Sequence, residues 1–230
     1  MLKSGERLED LQCRGLRIIQ HERDFRFGTD AVLLANFVRA HARERVVDLG
    51  TGSGVIPLLL SAKTDCAFIT GVEILPEAAD RAARSVALNA LEDRIRIICG
   101  DFRDTAALGR QSYHVAVSNP PYRKLGSGMV NAADSHTLSR HEVNCTLDEL
   151  CAAACDLLVS KGRFCLVHQA QRLAEIVTSL RAHRLEPKKL RPVAATREGE
   201  AKLVLIEAVK DAHAGLKLLP ALILDESHPD

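Results

Sequence analysis

The chain has 230 residues, 47% of them hydrophobic, enough for one large core and too little for two comfortable domains. Its 31 lysines and arginines against 30 aspartates and glutamates leave a formal charge of +1, which excludes the global positive field of many nucleic-acid binders; any such contact must come from local basic patches. Charges throughout Met1 to Asp10, and an apolar run from Leu216 to Leu224 broken by Lys217 and Pro220, argue against secretion and membrane spanning and for a cytoplasmic protein.

In chain order, Leu16–Gln20 reads as a strand and His21–Gly28 as a loop rich in arginine and aromatic residues. Asp30–His41 reads as the first helix. Strands are then expected at Arg45–Leu49, Ala67–Val72, Arg94–Cys99, His114–Ser118 and Arg163–His168, with helices at Val55–Lys63, Pro76–Ala90, Thr146–Val159 and Gln169–His183. Such alternation implies an α/β fold with a mostly parallel sheet covered by helices on both faces. Leu185–Val193 and Lys202–Val209, joined by the turn-like Glu198-Gly199-Glu200, form an antiparallel hairpin at one sheet edge. The expected organisation is a single domain over 1–230, with 1–44 as an amino-terminal extension and 45–230 as the core. Seven cysteines without a CxxC pair read as reduced core thiols; Cys151 and Cys155 share a helix face, where apolar packing is favoured over half of a metal site, and no metal is expected.

The chemistry begins at Val46-Val47-Asp48-Leu49-Gly50-Thr51-Gly52-Ser53-Gly54, an apolar strand running into a loop with glycine at every second position and then a helix. Glycines there let backbone N–H groups approach a ligand at the carboxyl end of the sheet. Val55 stands where a dinucleotide fingerprint wants glycine, which argues against NAD. Glu73 ends the next strand in Gly71-Val72-Glu73-Ile74, where a carboxylate can accept both ribose hydroxyls of a nucleoside. Asp101 follows the third strand and can accept from an adenine amino group, with Phe102 packing beside the ring. Taken singly, Glu73 is also a solvated strand end and Asp101 a helix cap. Together the three strand ends resemble the class I S-adenosylmethionine-dependent methyltransferases, a resemblance that implies a Rossmann-like, seven-stranded sheet with a reversed last strand. It also implies S-adenosylmethionine as cofactor and S-adenosylhomocysteine as product.

After the fourth strand comes Asn119-Pro120-Pro121-Tyr122, a tetrapeptide similar to that of amino-group methyltransferases, whose targets include adenine, guanine and the glutamine amide. An adenine amino group is a poor nucleophile because its lone pair is conjugated into the ring. The Asn119 oxygen and the Pro120 carbonyl can each accept one of its N–H hydrogens, and Tyr122 can stack on the base. Three further segments, Phe25-Arg26-Phe27-Gly28-Thr29-Asp30-Ala31-Val32-Leu33-Leu34, Ser139-Arg140-His141-Glu142 and Gly199-Glu200-Ala201-Lys202-Leu203-Val204-Leu205-Ile206-Glu207, resemble the bacterial tRNA adenine N6-methyltransferases acting on a valine tRNA. That family methylates the adenosine immediately 3′ of the anticodon. In this chain Arg123-Lys124 follow Tyr122, where an apolar or aromatic residue is expected.

The resemblance implies catalytic roles for Asn119, Pro120 and Tyr122, and cofactor contacts from Thr29, Asp48, Gly50, Gly52, Glu73, Ile74, Asp101, Phe102 and Asn119. Thr29 and Asp30 are equally readable as caps of the first helix, Arg140-His141-Glu142 as a salt-bridged helix lead-in, and His168 as a packed histidine. A tRNA partner would meet Arg23 and Arg26 near the site and the cluster Arg181, His183, Arg184, Lys188, Lys189 and Arg191, which is otherwise a solvated face. Rival activities are a protein glutamine N5-methyltransferase, which usually carries an amino-terminal helical domain for which Asp48 leaves no room, and an rRNA guanine N2-methyltransferase, against which Tyr122 weighs. A non-catalytic cofactor-binding module would be expected to have a degraded tetrapeptide, and here it is intact.

Overall fold

The computed structural model describes residues 2–22, 28–120 and 145–224. Strand β1 (Glu6–Asp10) pairs antiparallel with β2 (Arg17–His21), placing Glu6 opposite His21 and Asp10 opposite Arg17. The sequence reading found β2 but not β1, whose Glu-Arg-Leu-Glu-Asp shows no apolar face. What holds β1 comes from elsewhere in the chain, namely α3 (Pro76–Leu88). Arg84 grips Glu6 with Nη1 at 2.8 Å and Nη2 at 2.5 Å, and burial of Ile18 and Ile19 anchors β2 beside it.

Beyond the ribbon, β3 (Arg45–Leu49), β4 (Phe68–Glu73), β5 (Ile95–Cys99), β6 (Tyr113–Ser118) and β7 (Leu158–Gln169) run parallel in the order β7-β6-β3-β4-β5. At the β7 edge, β9 (Ala201–Lys210) lies antiparallel between β7 and β8 (Leu185–Ala194). The expected edge hairpin and reversed last strand are thus present. Two short strands, β10 (Lys217–Leu218) and β11 (Leu222–Ile223), add to the outside of β8, so seven strands become nine.

Helices α1 (Thr29–Phe37) and α2 (Val55–Lys63) cover one face, α5 (Leu147–Leu157) and α6 (Leu173–Ala182) the other, and α4 (Thr105–Leu108) is a single turn. The pleat sorts residues between two cores: Val46, Val115, Val117 and Cys165 face the α1–α2 side, while Val47, Ala116, Phe164 and Leu166 face α5 and α6. In α2 every residue from Val55 to Ala62 is buried, so the helix has no polar stripe and is held all round. Full burial of Leu58, Leu59 and Leu60 contributes about 1.5–3 kcal/mol each.

The element ends differ from the sequence reading for identifiable reasons. Helix α1 stops at Phe37 rather than His41, because Val38 and Ala40 turn into the core and Arg39 Nη1 bonds the Asn36 and Val38 carbonyls. Thr146 caps α5 in a full capping box with Glu149, as the start at Thr146 implied. The end of α5 is set by Lys210, only 5% exposed, whose Nζ bonds the carbonyls of Cys155 and Leu158 at 2.7 Å each; β7 then begins at Leu158, five residues before the expected Arg163. Among the described residues no helix is long and apolar enough to cross a membrane, and no cluster of metal-ligating side chains occurs.

Candidate functional site

Four neighbouring strands, β5, β4, β3 and β6, deliver Asp101, Glu73, Asp48 with its glycine loop, and Asn119 to the same end of the sheet. Three steps between adjacent strands span about 14 Å, a length that suits an extended nucleoside joined to an amino acid. The loop itself is built on left-handed backbone: Gly50, Gly52 and Gly54 have φ of 78°, 57° and 87°. At Gly50 and Gly52 a side chain would meet nothing within 4 Å, so the backbone conformation alone requires glycine there. The N–H groups of Gly50 and Thr51 both bond the Val72 carbonyl, fixing the loop to β4.

Glu73 is buried and supports the loop from the neighbouring strand. Its Oε2 accepts from the Gly52 N–H at 2.8 Å and its Oε1 from the Leu75 N–H at 2.9 Å. Each oxygen keeps a second lone pair, so the carboxylate can hold the loop and still receive two ligand hydroxyls. The solvated strand-end alternative does not fit this burial. Ile74, the bend residue beside it, is half-buried.

Asp48 is fully buried, and burial pushes its carboxyl up to about 7, with the Glu73 charge adding and a Thr51 hydroxyl opposing. Thr51 Oγ1 donates to Asp48 Oδ2 at 2.5 Å, whereas Oδ1 has no partner among the described residues. A buried acceptor without a donor costs stability unless a ligand supplies one, and the α-ammonium of S-adenosylmethionine is such a donor. Asp48 and Glu73 therefore offer acceptors that fit that cofactor in chemistry.

Asp101 is differently placed. Its carboxylate takes Arg103 Nε and Nη2, at 2.9 and 2.6 Å to Oδ2, and this guanidinium holds it below the usual carboxylate range. Arg103 reaches on to Glu149 at 3.0 Å, tying the end of β5 to the first turn of α5. The cap of α4 is Asp104, which accepts from the Ala107 N–H, and not Asp101. Phe102 is half-buried against the α5 core.

Asn119 and Pro120 follow β6 directly and are half-buried; Ser118 Oγ fixes that strand end to the Leu49 carbonyl at 2.8 Å. Tyr122, together with Arg23, Arg26 and Arg140-His141-Glu142, lies outside the described residues. At the start of α1 the cap position belongs to Gly28, and Thr29 is the first residue inside the helix, so the cap reading of Thr29 does not hold. His168 is a packed histidine, as expected: it is buried beside Arg172, and burial lowers its pKa to about 4.

Three residues of the site escaped the sequence reading. Thr51 orients Asp48, Ser118 joins two strand ends, and Gly71 makes room, since a side chain there would come within 2.9 Å of Thr51 Oγ1 and 2.8 Å of Ile97 Cδ1. A glycine inside an apolar strand was the available signal for Gly71. The basic cluster is largely answered within the protein. Arg181 pairs with Glu186, His183 with Asp148, Arg184 with Asp211 and Lys189 with Glu207. Arg184 also precedes Leu185, which faces Lys210 at the amino-terminal edge of the sheet, the end away from Asn119.

Comparison with known proteins gives a match over residues 23–184 to the family model described as methyltransferase small domain. The chain is 34% identical over 189 residues to a tRNA1(Val) (adenine(37)-N6)-methyltransferase of Porphyromonas gingivalis, covering 79% of this chain and 73% of that one. It is 35% identical over 151 residues to the protein of the same description from Dickeya chrysanthemi, covering 65% and 59%. Among solved structures, a predicted O-methyltransferase of Agrobacterium tumefaciens matches with TM-score 0.70 at 23% identity, over 86% of this chain and 89% of that one. Geranyl diphosphate C-methyltransferase of Streptomyces coelicolor, crystallised with S-adenosyl-L-homocysteine, matches with TM-score 0.58 at 15% identity, over 78% and 76%. These two likenesses concern the fold.

Proposed function

We infer the activity from membership: the chain belongs to the methyltransferase small domain family, and within it to the tRNA1(Val) (adenine(37)-N6)-methyltransferases. It is an S-adenosylmethionine-dependent N-methyltransferase, and its substrate is the exocyclic N6 of adenine in tRNA. The observation that carries the reading is the pairing of a ligand-ready glycine loop on β3 with Asn119-Pro120 on the adjacent strand end. A tRNA substrate supports a cytoplasmic location.

When bound, S-adenosylmethionine supplies an activated methyl group on sulfur. The protein's part is to hold and to orient. Glu73 receives the ribose hydroxyls, Asp101 and Phe102 receive the adenine, Ile74 lies against the nucleoside, and Asp48 with the Gly50–Gly52 backbone receives the amino-acid end. Thr29, exposed at the first turn of α1, lies within a segment shared with the family and is assigned to the same end. On the neighbouring strand end, the Asn119 side-chain oxygen and the Pro120 carbonyl accept the two N–H hydrogens of the target amino group. This favours a tetrahedral nitrogen whose lone pair is directed at the methyl carbon, and Tyr122 stacks on the base. The cofactor would supply the methyl group and keep the S–C electron pair as a thioether, and the proton that the amino nitrogen gives up would pass by way of the Asn119 and Pro120 acceptors to solvent. The proposed chemistry needs no metal.

The test is incubation of the protein with labelled S-adenosylmethionine and total tRNA, followed by nucleoside mass spectrometry. Labelled N6-methyladenosine is expected. Label on a release-factor glutamine, or on N2 of guanine in rRNA, in preference to tRNA adenine would overturn the reading.

A further inference from the structure

Next to the glycine loop, the amino-terminal ribbon contributes a side chain that the methyl-transfer reading leaves unused. Gln20 sits near the end of β2 and is 3% exposed. Its Nε2 reaches Ser53 Oγ, between Gly52 and Gly54, at 3.5 Å, a long and weak contact. Its Oε1 is buried and, among the described residues, has no hydrogen-bond partner.

The ribbon is held firmly enough to make that placement deliberate. The Ile19 N–H, one residue before Gln20, donates to Ser85 Oγ at 2.9 Å, and Asn89, which caps the end of the same helix, brackets Arg17 by accepting from its N–H and donating to its carbonyl. Arg84 clamps Glu6 on the paired strand. These bonds hold β2 against α3 at Arg17 and Ile19 and set Gln20 against the loop. Only one other side-chain acceptor oxygen is buried without a partner among the described residues, and that is Oδ1 of Asp48, on the strand that enters the same loop.

Two buried, partnerless acceptors flanking one glycine loop call for a ligand group rich in N–H donors. A carboxylate and an amide oxygen match an ammonium, which carries three. We propose that Gln20 is a cofactor-binding residue, whose amide oxygen accepts from the α-ammonium of the cofactor's amino-acid end, making the amino-terminal ribbon part of the binding site. The assignment rests on the S-adenosylmethionine reading above and adds to it a contact from outside the nucleotide-binding core.

A buried acceptor that only a ligand satisfies has opposite effects with and without that ligand, and this gives the test its sign. Gln20→Leu removes the polar group at similar size. In calorimetry it should weaken S-adenosylmethionine binding about tenfold or more, the typical loss for one hydrogen bond to a charged group. In thermal unfolding without cofactor it should leave the midpoint unchanged or raise it. Binding of 5′-methylthioadenosine, which lacks the amino-acid end, should be the same in both proteins, and Gln20→Glu should restore S-adenosylmethionine binding. If Gln20→Leu binds S-adenosylmethionine like the wild type, or loses 5′-methylthioadenosine equally, the proposal is overturned. A fall in the cofactor-free midpoint would instead make Gln20 a structural prop of Ser53, which also overturns it. Failure of the wild type itself to bind S-adenosylmethionine would strike at the enzyme reading and is thereby told apart.

Discussion

The two ends of the parallel sheet treat buried polar groups in opposite ways. At the amino-terminal end, Lys210 is buried with its charge spread over two helix-terminal carbonyls, and Arg163 reaches Glu44 at 2.6 Å. Arg94 there bonds the Ser61 carbonyl at 2.9 Å and the Cys66 carbonyl at 3.2 Å. At the carboxyl end, Asp48 and Gln20 keep open oxygens, and three glycines hold left-handed backbone. A polar group buried without a partner destabilises the fold, so its concentration at one end marks the place where something else completes the structure. Among the described residues, Lys210, Arg163 and Arg94 at the scaffold end are answered within the protein, whereas the two open side-chain oxygens lie beside the glycine loop. Substitutions should therefore divide by end, one set altering binding and turnover, the other altering stability.

The largest effect is expected at Asn119. Losing one preorganised contact to a reacting centre costs around a hundredfold or more in rate, so Asn119→Ala should lower single-turnover methylation by that order at saturating RNA and cofactor. Cofactor affinity measured by calorimetry should hardly change. Near-normal turnover would remove Asn119 from the chemistry and break the division at its most important point.

At the opposite end, Lys210→Met keeps the length of the side chain and removes the donor. Two buried carbonyls lose a charged partner, and denaturant unfolding should show a loss of about 2 kcal/mol. S-adenosylmethionine affinity should be unchanged. A binding defect as large as the stability defect would mean that the two ends are coupled through α5.

This division also explains which parts of the molecule could be read from the chain. The glycine loop, α2 and Glu73 were legible because their signals are local: a glycine at every second position, an unbroken apolar helix, an acid at a strand end. The reversed strand β9 followed from two strand patterns with no helix between them. By contrast β1, charged at every residue but Leu8, is held by Arg84 on a helix 78 residues away, and no periodicity in Glu6–Asp10 reveals that. The true start of β7 depends on Lys210, more than fifty residues later. Gln20 and Thr51 matter through one buried oxygen each, a property of packing rather than of sequence pattern. The reading of Thr29 as a cap failed because the cap position fell one residue earlier, on Gly28.

A smaller and pH-dependent effect is expected at Asp48. Its folded pKa of about 7 lies above the ordinary 3.8, so between those values the cofactor-free protein holds a proton that the unfolded chain releases. Its contribution to stability is full below pH 4 and is lost as pH rises towards 7. Cofactor binding should run the other way, because an ammonium favours the ionised carboxylate. Affinity for S-adenosylmethionine should fall about fivefold between pH 7 and pH 6 and level off by about pH 8. In Asp48→Asn that pH dependence should disappear. A wild-type affinity that is flat over this range would show that the open oxygen of Asp48 does not meet the ammonium.

The smallest effects test the comparison on the surface, where RNA would lie. Arg184 is exposed, paired with Asp211 at 2.6 Å, and adjoins the amino-terminal end of β8; Arg197 is exposed in the turn between β8 and β9, at the same end of the sheet as Asn119. Register fixes this difference, since Leu185 faces Lys210 while Ala194 faces Ala201. A phosphate drawn to Arg184 must compete with a carboxylate already in place, and from there it is remote from the reacting amino group. Among the described residues Arg197 has no carboxylate partner, and it lies at the site end of the sheet. Arg197→Ala should raise the KM for tRNA severalfold and reduce the slope of log affinity against log salt by about one, as expected for one lost phosphate contact. Arg184→Ala should leave both within a factor of two, because an exposed ion pair contributes little to the fold and, here, nothing to RNA. Equal effects from the two arginines would mean that tRNA wraps past the sheet edge to its far end, and the scaffold end would then have to be counted as part of the interface.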